Sequence, residues 1–232
     1  MELKNKIVLV TGSSQGIGKA IALEFAKMGA RVIITYNANK QKAEENLEKC
    51  KKFSECLLVH LDITSEDSII ECVKKIIDKF GAIDILINNA GIISWKSLIE
   101  QSSKEIDLQI DTNLRGLIKM TKITLPYLLK QNEAIIINVS SGAGKRGTAN
   151  ITLYCATKFG VRGFTESLSQ EVPKNVKIYS LNPGKTATKM TDFIGNSPEN
   201  IANLIVEVVK ENIKIKSGED IDLWRYLQDD HS

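Results

Sequence analysis

Thr11-Gly12-Ser13-Ser14-Gln15-Gly16-Ile17-Gly18 follows the apolar run Ile7-Val8-Leu9-Val10 and opens into Ile17, Ile21, Phe25 and Met28. Those four apolar residues recur every three or four positions, which places them on one helix face. A strand, a glycine turn and a helix in that order form a dinucleotide-binding unit. Glycines let the backbone turn tightly and approach a pyrophosphate, and the helix N-terminus offers unpaired N–H groups to it. Gly12, Gly16 and Gly18 are the turn positions, with Ser14, Gln15 and Ile17 as neighbouring candidate contacts. The spacing is G-x-x-x-G-x-G, which departs from the G-x-G-x-x-G fingerprint. Taken alone, the stretch also fits a glycine loop that merely turns the chain.

Outward from this stretch the chain alternates two periods. Nearly continuous apolar runs at 7–10, 32–35, 57–60, 83–87, 135–139, 176–181 and, weakly, 221–223 read as strands buried on both faces. Between them lie amphipathic helices. Ile69, Val73, Ile76 and Phe80 form one stripe, and Ile201, Leu204, Ile205 and Val208 another. Gly29 and Gly81 fall just past helix ends, Ser197-Pro198-Glu199 reads as a cap with proline at the first helical position, and Ser102 with Glu105 as a capping box. Uninterrupted β–α alternation without a polar linker implies an α/β fold: one doubly wound, Rossmann-like parallel sheet of seven strands, with residues 1–232 as a single domain. Two segments break the rhythm, 88–101 and 182–196. Both follow strand carboxyl ends, where such sheets bind ligands. The tail, 224–232, is polar and is expected to fray or to dock on another subunit.

Composition narrows the function. The 232 residues are 43% hydrophobic and 25% charged, an ordinary globular balance. A net charge of +3 with scattered basic residues does not point to nucleic acid. No apolar run approaches the roughly 18 residues of a membrane span. The opening Met1-Glu2-Leu3-Lys4-Asn5-Lys6 lacks a signal-peptide core. Cys50, Cys56, Cys72 and Cys155 show no metal-binding spacing, so reduced thiols in a cytoplasmic protein are expected, with no metal site.

The second strand ends in Tyr36-Asn37, where an NAD site would usually carry an acidic residue for the ribose 2′-hydroxyl. Without that carboxylate a 2′-phosphate is tolerated, and Lys40 or Lys42 can pair with it. This favours NADP, with NAD as the alternative; both lysines also fit a solvated helix. After the third strand, Asp62 and Ile63 fit an adenine site, while Asp62 fits equally a turn before a helix capped by Thr64. His60 reads as structural. Asn88-Asn89-Ala90-Gly91 combines strand-tying amides with small residues that let a ligand pass close. Asn113 lies on the apolar stripe Ile106, Ile110, Leu117, where its amide must be satisfied inside or bend the helix; a water-holding amide beside an active site is the functional reading. Tyr154 and Lys158 are four apart and share a helix face just after Ser140-Ser141-Gly142-Ala143-Gly144. An ammonium there favours the phenolate and brings a group of ordinary pKa about 10 toward the working range. Tyr36 and Lys40 share the spacing but not the context.

In order and spacing, TGSSQGIG, NNAG, Asn113, SSGAG, YCATK and Asn182-Pro183-Gly184 resemble the short-chain dehydrogenase/reductase family over residues 6–188. The resemblance implies Tyr154 as acid–base, Lys158 as its pKa tuner and ribose ligand, Ser141 as the carbonyl-orienting serine, and Asn113 as holder of a relay water. It assigns Gly12, Gly16 and Gly18 to pyrophosphate, Asp62 and Ile63 to adenine, and Asn89, Ala90 and Gly91 to the adenine-ribose floor. Pro183, Gly184, Thr186 and Thr188 fall to the carboxamide. The implied activity is hydride transfer between NADP(H) and a carbonyl or secondary alcohol. An NAD-dependent alcohol dehydrogenase or a cofactor-sensing binding protein is the alternative, the latter opposed by the intact catalytic set. Three departures stand out: Lys185 at a position often apolar, a short 189–196 loop that predicts an open pocket, and Asp222-Leu223-Trp224 in place of a glycine-rich tail. Apolar residues beyond the core stripe of a helix at 102–127 (Ile118, Ile123) and of the following one (Val161, Phe164) predict a homodimer or homotetramer, as the family resemblance does; packing of Ile118 and Ile123 under the 88–101 loop is the alternative.

Overall fold

The computed structural model describes residues 1–226; the rest of the 224–232 tail lies outside them. Strands β1 (Ile7–Val10), β2 (Arg31–Tyr36), β3 (Cys56–His60), β4 (Ile85–Asn88), β5 (Ala134–Val139), β6 (Val176–Asn182) and β7 (Asp220–Asp222) alternate with helices α1 (Gly16–Lys27), α2 (Lys40–Cys50), α3 (Glu66–Phe80), α4 (Ser103–Ile110), α5 (Gly116–Leu128), α6 (Thr152–Glu171) and α7 (Pro198–Val209). All pair in parallel, in the order β3-β2-β1-β4-β5-β6-β7. The chain builds outward from β1 to β3, then returns to place β4 against the other side of β1. The switch in direction therefore opens between the ends of β1 and β4, beyond Val10 and Ile87, which are register partners.

Alternation along each strand splits the core into two layers. Val8, Val10, Val32 and Ile34 face α1 and α7, packing with Ile21, Phe25, Ile201 and Ile205. Ile7, Leu9 and Ile33 face the opposite layer, with Ile69, Val73, Ile76, Met120 and Leu168. The expected punctuation is present. Gly29 and Gly81 have φ of 79° and 77°, Ser197 accepts from Asn200 N, Pro198 opens α7, and the Ser102–Glu105 capping box forms.

Three local expectations are corrected. The cap of α3 is Ser65, which accepts from Ser68 N, not Thr64; Thr64 instead donates to Asp62 Oδ1. The helix expected over 102–127 is not regular: Asp111–Arg115 forms a π turn between α4 and α5. Its cause is Asn113, fully buried and bonded to another segment, together with Gly116, which sits against the Ile63 carbonyl. Finally, Val161 is not surplus surface. It is fully buried because Val161, Thr165 and Leu168 form the sheet-facing stripe of α6, and Ile123 and Phe164 pack against the same core.

A Cβ at Gly116 would stand 2.4 Å from Ile63 O and 2.8 Å from Asp111 O. Gly116→Ala is therefore expected to destabilise by about 1–3 kcal/mol, the usual cost of overpacking, read as a lower urea midpoint at unchanged slope.

Candidate active site

A cleft of about 1770 Å³ runs along the carboxyl edge of the sheet over the switch point. Its floor is the glycine turn. Gly12 and Gly16 take left-handed φ of 65° and 58°, and a Cβ on Gly18 would lie 2.4 Å from Asn89 Nδ2 and 2.6 Å from Gly12 O. Gln15 precedes α1 in extended backbone without capping it through its side chain, leaving the helix N-terminus directed at the cleft. These features fit a pyrophosphate at that end.

Side chains from neighbouring segments hold the turn. Thr11 Oγ1 accepts from Asn89 N at 2.9 Å and Ala90 N at 3.0 Å, while Asn89 Nδ2 donates to Thr11 O and Gly12 O. Gly12 N donates to Thr35 Oγ1, Thr35 N to Ser13 Oγ, and Asn46 Nδ2 to Ser13 O. Thr11, Ser13, Thr35 and Asn46 are thus supports that the sequence reading did not single out. Asn46 was beyond reach of a local motif, because its partner lies 33 residues away.

Ser14, Gln15, Gly16, Ile17, Tyr36, Asn37, Asp62, Ile63, Ala90, Gly91, Ser141, Tyr154, Lys158, Pro183, Gly184, Thr186 and Thr188 all line this cleft, with Gly12 and Asn89. Gly18 and Asn113 stand behind it. Tyr36 packs edge-on against the exposed His60 ring at 5.5 Å. The two lysines after β2 separate: Lys40 pairs with Glu44, whereas Lys42 lines the cleft and donates to Gln15 Oε1 at 3.3 Å; Glu45 lines it too. Asp62 Oδ1 accepts from Thr64 N and Oγ1, so the turn reading is realised while the residue still faces the cleft.

Asn113 is satisfied inside. Its Oδ1 accepts from Ile92 N and its Nδ2 donates to Ile92 O, both at 2.8 Å, and to Thr157 Oγ1 at 3.3 Å. A Cβ on Gly91 would meet Asn113 Oδ1 at 3.3 Å and Lys158 Nζ at 3.7 Å, so these three groups converge.

The turn after β5 lies directly on α6. Ser140 Oγ donates to Lys158 O, and a Cβ on Gly144 would be 2.7 Å from the same carbonyl. Ser141 follows half-buried, its hydroxyl accepting from Ala143 N at 3.1 Å. Behind it, Lys145 donates to buried Asp222 at 2.7 Å, and Asp222 also accepts from Asn182 Nδ2 at the end of β6. Asp222 thereby joins the serine turn to the segment entering Pro183 and Gly184, a link that 77 residues of separation hid from the sequence.

Lys158 is buried, donates to Val139 O at 2.8 Å, and sits 5.5 Å from the Tyr154 ring centroid. Burial lowers its ammonium to about 8. The Tyr154 phenol differs from expectation: burial raises it above its ordinary value, opposed by the Ser141 hydroxyl beside it. Desolvation sets this direction, while Lys158 Nζ donates to Val139 O and lies over the ring.

Comparison with known proteins agrees with this architecture. The short chain dehydrogenase family matches residues 6–199. The 3-oxoacyl-(acyl-carrier-protein) reductase FabG of Staphylococcus epidermidis is 34% identical over 94% of this chain and 88% of its own length. The FabG of Thermotoga maritima is 37% identical over 83% and 78%. The NADPH-dependent pterin aldehyde reductase of Arabidopsis thaliana is 35% identical over 83% and 80%. In fold, a dehydrogenase/reductase from Sinorhizobium meliloti superposes with a TM-score of 0.89 over 95% of each chain at 24% identity. Levodione reductase does so with 0.87 over 94% and 96% at 23%.

Lys158 makes stability depend on pH in a defined direction. Its folded-state value of about 8 lies below the ordinary 10.5, so between these the unfolded chain binds more protons. Stability from this group therefore rises with pH across about 8 to 10.5, and the full penalty, about 3 kcal/mol, stands below 8. In urea denaturation at pH 7 and pH 10, wild type is expected to gain on Lys158→Met at the higher pH; a constant difference would contradict this.

Proposed function

The chain belongs to the short-chain dehydrogenase family, a family of oxidoreductases, and from that premise we propose that it moves hydride between NADP(H) and a carbonyl or secondary alcohol, within one domain spanning residues 1–232. One observation carries the proposal: Ser141, Tyr154 and Lys158 line the same cleft as the glycine turn. Reduction adds hydride from the nicotinamide to the carbonyl carbon and a proton to its oxygen.

This chain's residues account for the rest. Ser141 hydrogen-bonds the carbonyl oxygen and orients it. Tyr154, whose phenol burial holds above its ordinary value, gives that oxygen its proton. Lys158 places a cation over the ring, which stabilises the phenolate as it forms, and binds the ribose from the same face. Asn113 fixes the Ile92 backbone beside Lys158 and Gly91, on the path by which the proton would be replaced. Gly12, Gly16 and Gly18 shape the turn that would hold the pyrophosphate, Asp62 and Ile63 would hold the adenine, and Asn89 to Gly91 would form the floor. Pro183, Gly184, Thr186 and Thr188 would hold the nicotinamide.

NADP is favoured over NAD on two grounds. Tyr36 brings no carboxylate to repel a 2′-phosphate, and Lys42 stands close by on Gln15. The Arabidopsis relative's name specifies NADPH. A cytoplasmic homodimer or homotetramer completes the proposal. Its basis is half-buried Ile118 on α5 with exposed Phe159 on α6. No described helix is long and apolar enough to cross a membrane.

Oxidation of NADPH and NADH, followed side by side over a panel of ketones and aldehydes, tests the activity. NADPH is expected to be preferred, and Tyr154→Phe to lower turnover by at least about a hundredfold with cofactor affinity nearly unchanged. Near-normal turnover in that variant would remove Tyr154 from the mechanism. For assembly, sedimentation at micromolar concentration is expected to show a dimer or larger; a clean 25.7 kDa species would refute it.

A further inference from the structure

The walls around the reacting corner are apolar. Ile93, Ala143 and Ile151 pack about the Tyr154 ring, so Ser141 and the phenol are the polar groups set among them. Further out, two loops face each other across the cleft. From the first come Trp95 and, on α4 beyond it, Leu108; from the second come Met190, Phe193 and Ile194. Trp95 Nε1 donates to Met190 O at 3.4 Å and ties the loops together.

These side chains are large, apolar and open to water: Trp95 is 61% exposed and Phe193 73%. Phe193 also holds a left-handed φ of 60°, next to Asp192 at 51°. A bulky residue rarely adopts that conformation, and strain of this kind concentrates where a ligand is gripped. Lys185, Lys189 and Asp192 also line this rim, all three exposed, so their charges remain in water.

We propose that the substrate is a neutral carbonyl compound carrying an aliphatic chain or aromatic ring, clamped between Trp95 and Phe193 while Ser141 and Tyr154 take its oxygen. The inference rests on the oxidoreductase reading above and adds the substrate's class. A carboxylate beside the carbonyl would have to be desolvated among Ile93, Ala143 and Ile151, where the Ser141 and Tyr154 hydroxyls are given to the carbonyl and Lys158 to Val139 O. Each methylene reaching the clamp leaves water for an apolar surface.

The test uses NADPH oxidation with straight-chain methyl ketones from 2-butanone to 2-nonanone, beside 2-oxoacids of equal carbon number. Values of kcat/KM are expected to rise up to about fourfold per added methylene, the scale of burying one such group, and to be at least about tenfold lower for each matching 2-oxoacid. Trp95→Ala and Phe193→Ala, both exposed positions, are expected to flatten the rise without lowering the melting temperature. A binding readout independent of turnover is Trp95 fluorescence in a Trp224→Phe background, expected to shift to the blue with 2-nonanone. A flat series, a preference for the 2-oxoacids, or an unmoved Trp95 signal would overturn the inference while leaving the oxidoreductase reading intact. If both exposed variants keep the slope but change sedimentation, the clamp residues belong to an interface between copies and the inference fails. Absence of NADPH oxidation with every ketone and every 2-oxoacid would overturn the underlying reading, and the substrate class with it.

Discussion

Everything at the catalytic edge depends on how β1 and β4 are stitched where the sheet changes direction. Two parallel strands ending side by side leave N–H and C=O groups that no further ladder can satisfy. Thr11 and Asn89 satisfy them reciprocally, the hydroxyl taking two N–H groups and the amide serving two carbonyls. The Asn89 amide occupies the space a side chain at position 18 would need, so Gly18 belongs to this stitch. Release of the Asn89 amide would free the glycine turn, the start of α1 and the Gly91 backbone together. The spacing G-x-x-x-G-x-G follows from the same constraint: two glycines supply left-handed φ, and the third makes room for an amide from the neighbouring strand.

Much of this fold was legible because both faces of the sheet are buried, which makes its strands stand out as unbroken apolar runs. Helix ends were legible where capping chemistry is local, as at Ser102, Gly81 and Ser197. Contacts distant in sequence were not. The packing of Gly116 on Ile63 and of Asn113 on Ile92 sets the π turn, and neither partner can be read from the helix itself. Val161 misled because apolar content reveals burial without revealing which partner supplies it, and α6 turns that residue to the sheet.

The candidate site divides along the same line. Glycines, the Tyr-x-x-x-Lys pair and the strand-end serine are identified by type and spacing, and the fold gathers them in one cleft. The groups that position them are ordinary residues with remote partners. Lys145, Asn182 and Asp222 hold the serine turn against the end of β6 through a buried carboxylate. Removing one partner from such a cluster leaves the others desolvated and unpaired, which is why it orders the edge so firmly. Asp222-Leu223-Trp224, a departure from the family pattern in sequence, thus has a defined structural use.

The titration of the buried pair bears on the proton that the site can give. Burial raises Tyr154 and lowers Lys158, moving the two groups toward one another while leaving the phenol protonated and the amine largely charged at neutral pH. In the proposed reduction, a protonated phenol at the carbonyl oxygen would be ready to give its proton. Alcohol oxidation requires the phenolate first, and desolvation opposes that charge until pH rises. Yet the amine begins to lose its own charge near 8, so alkalinity that frees the phenol also removes the cation that would stabilise it. In the proposed reaction the two effects of burial therefore leave the phenol ready to give a proton and make its phenolate costly to form. On this argument it is the dryness of the apolar corner around Tyr154, more than the presence of Lys158 alone, that governs how readily the phenol gives up its proton.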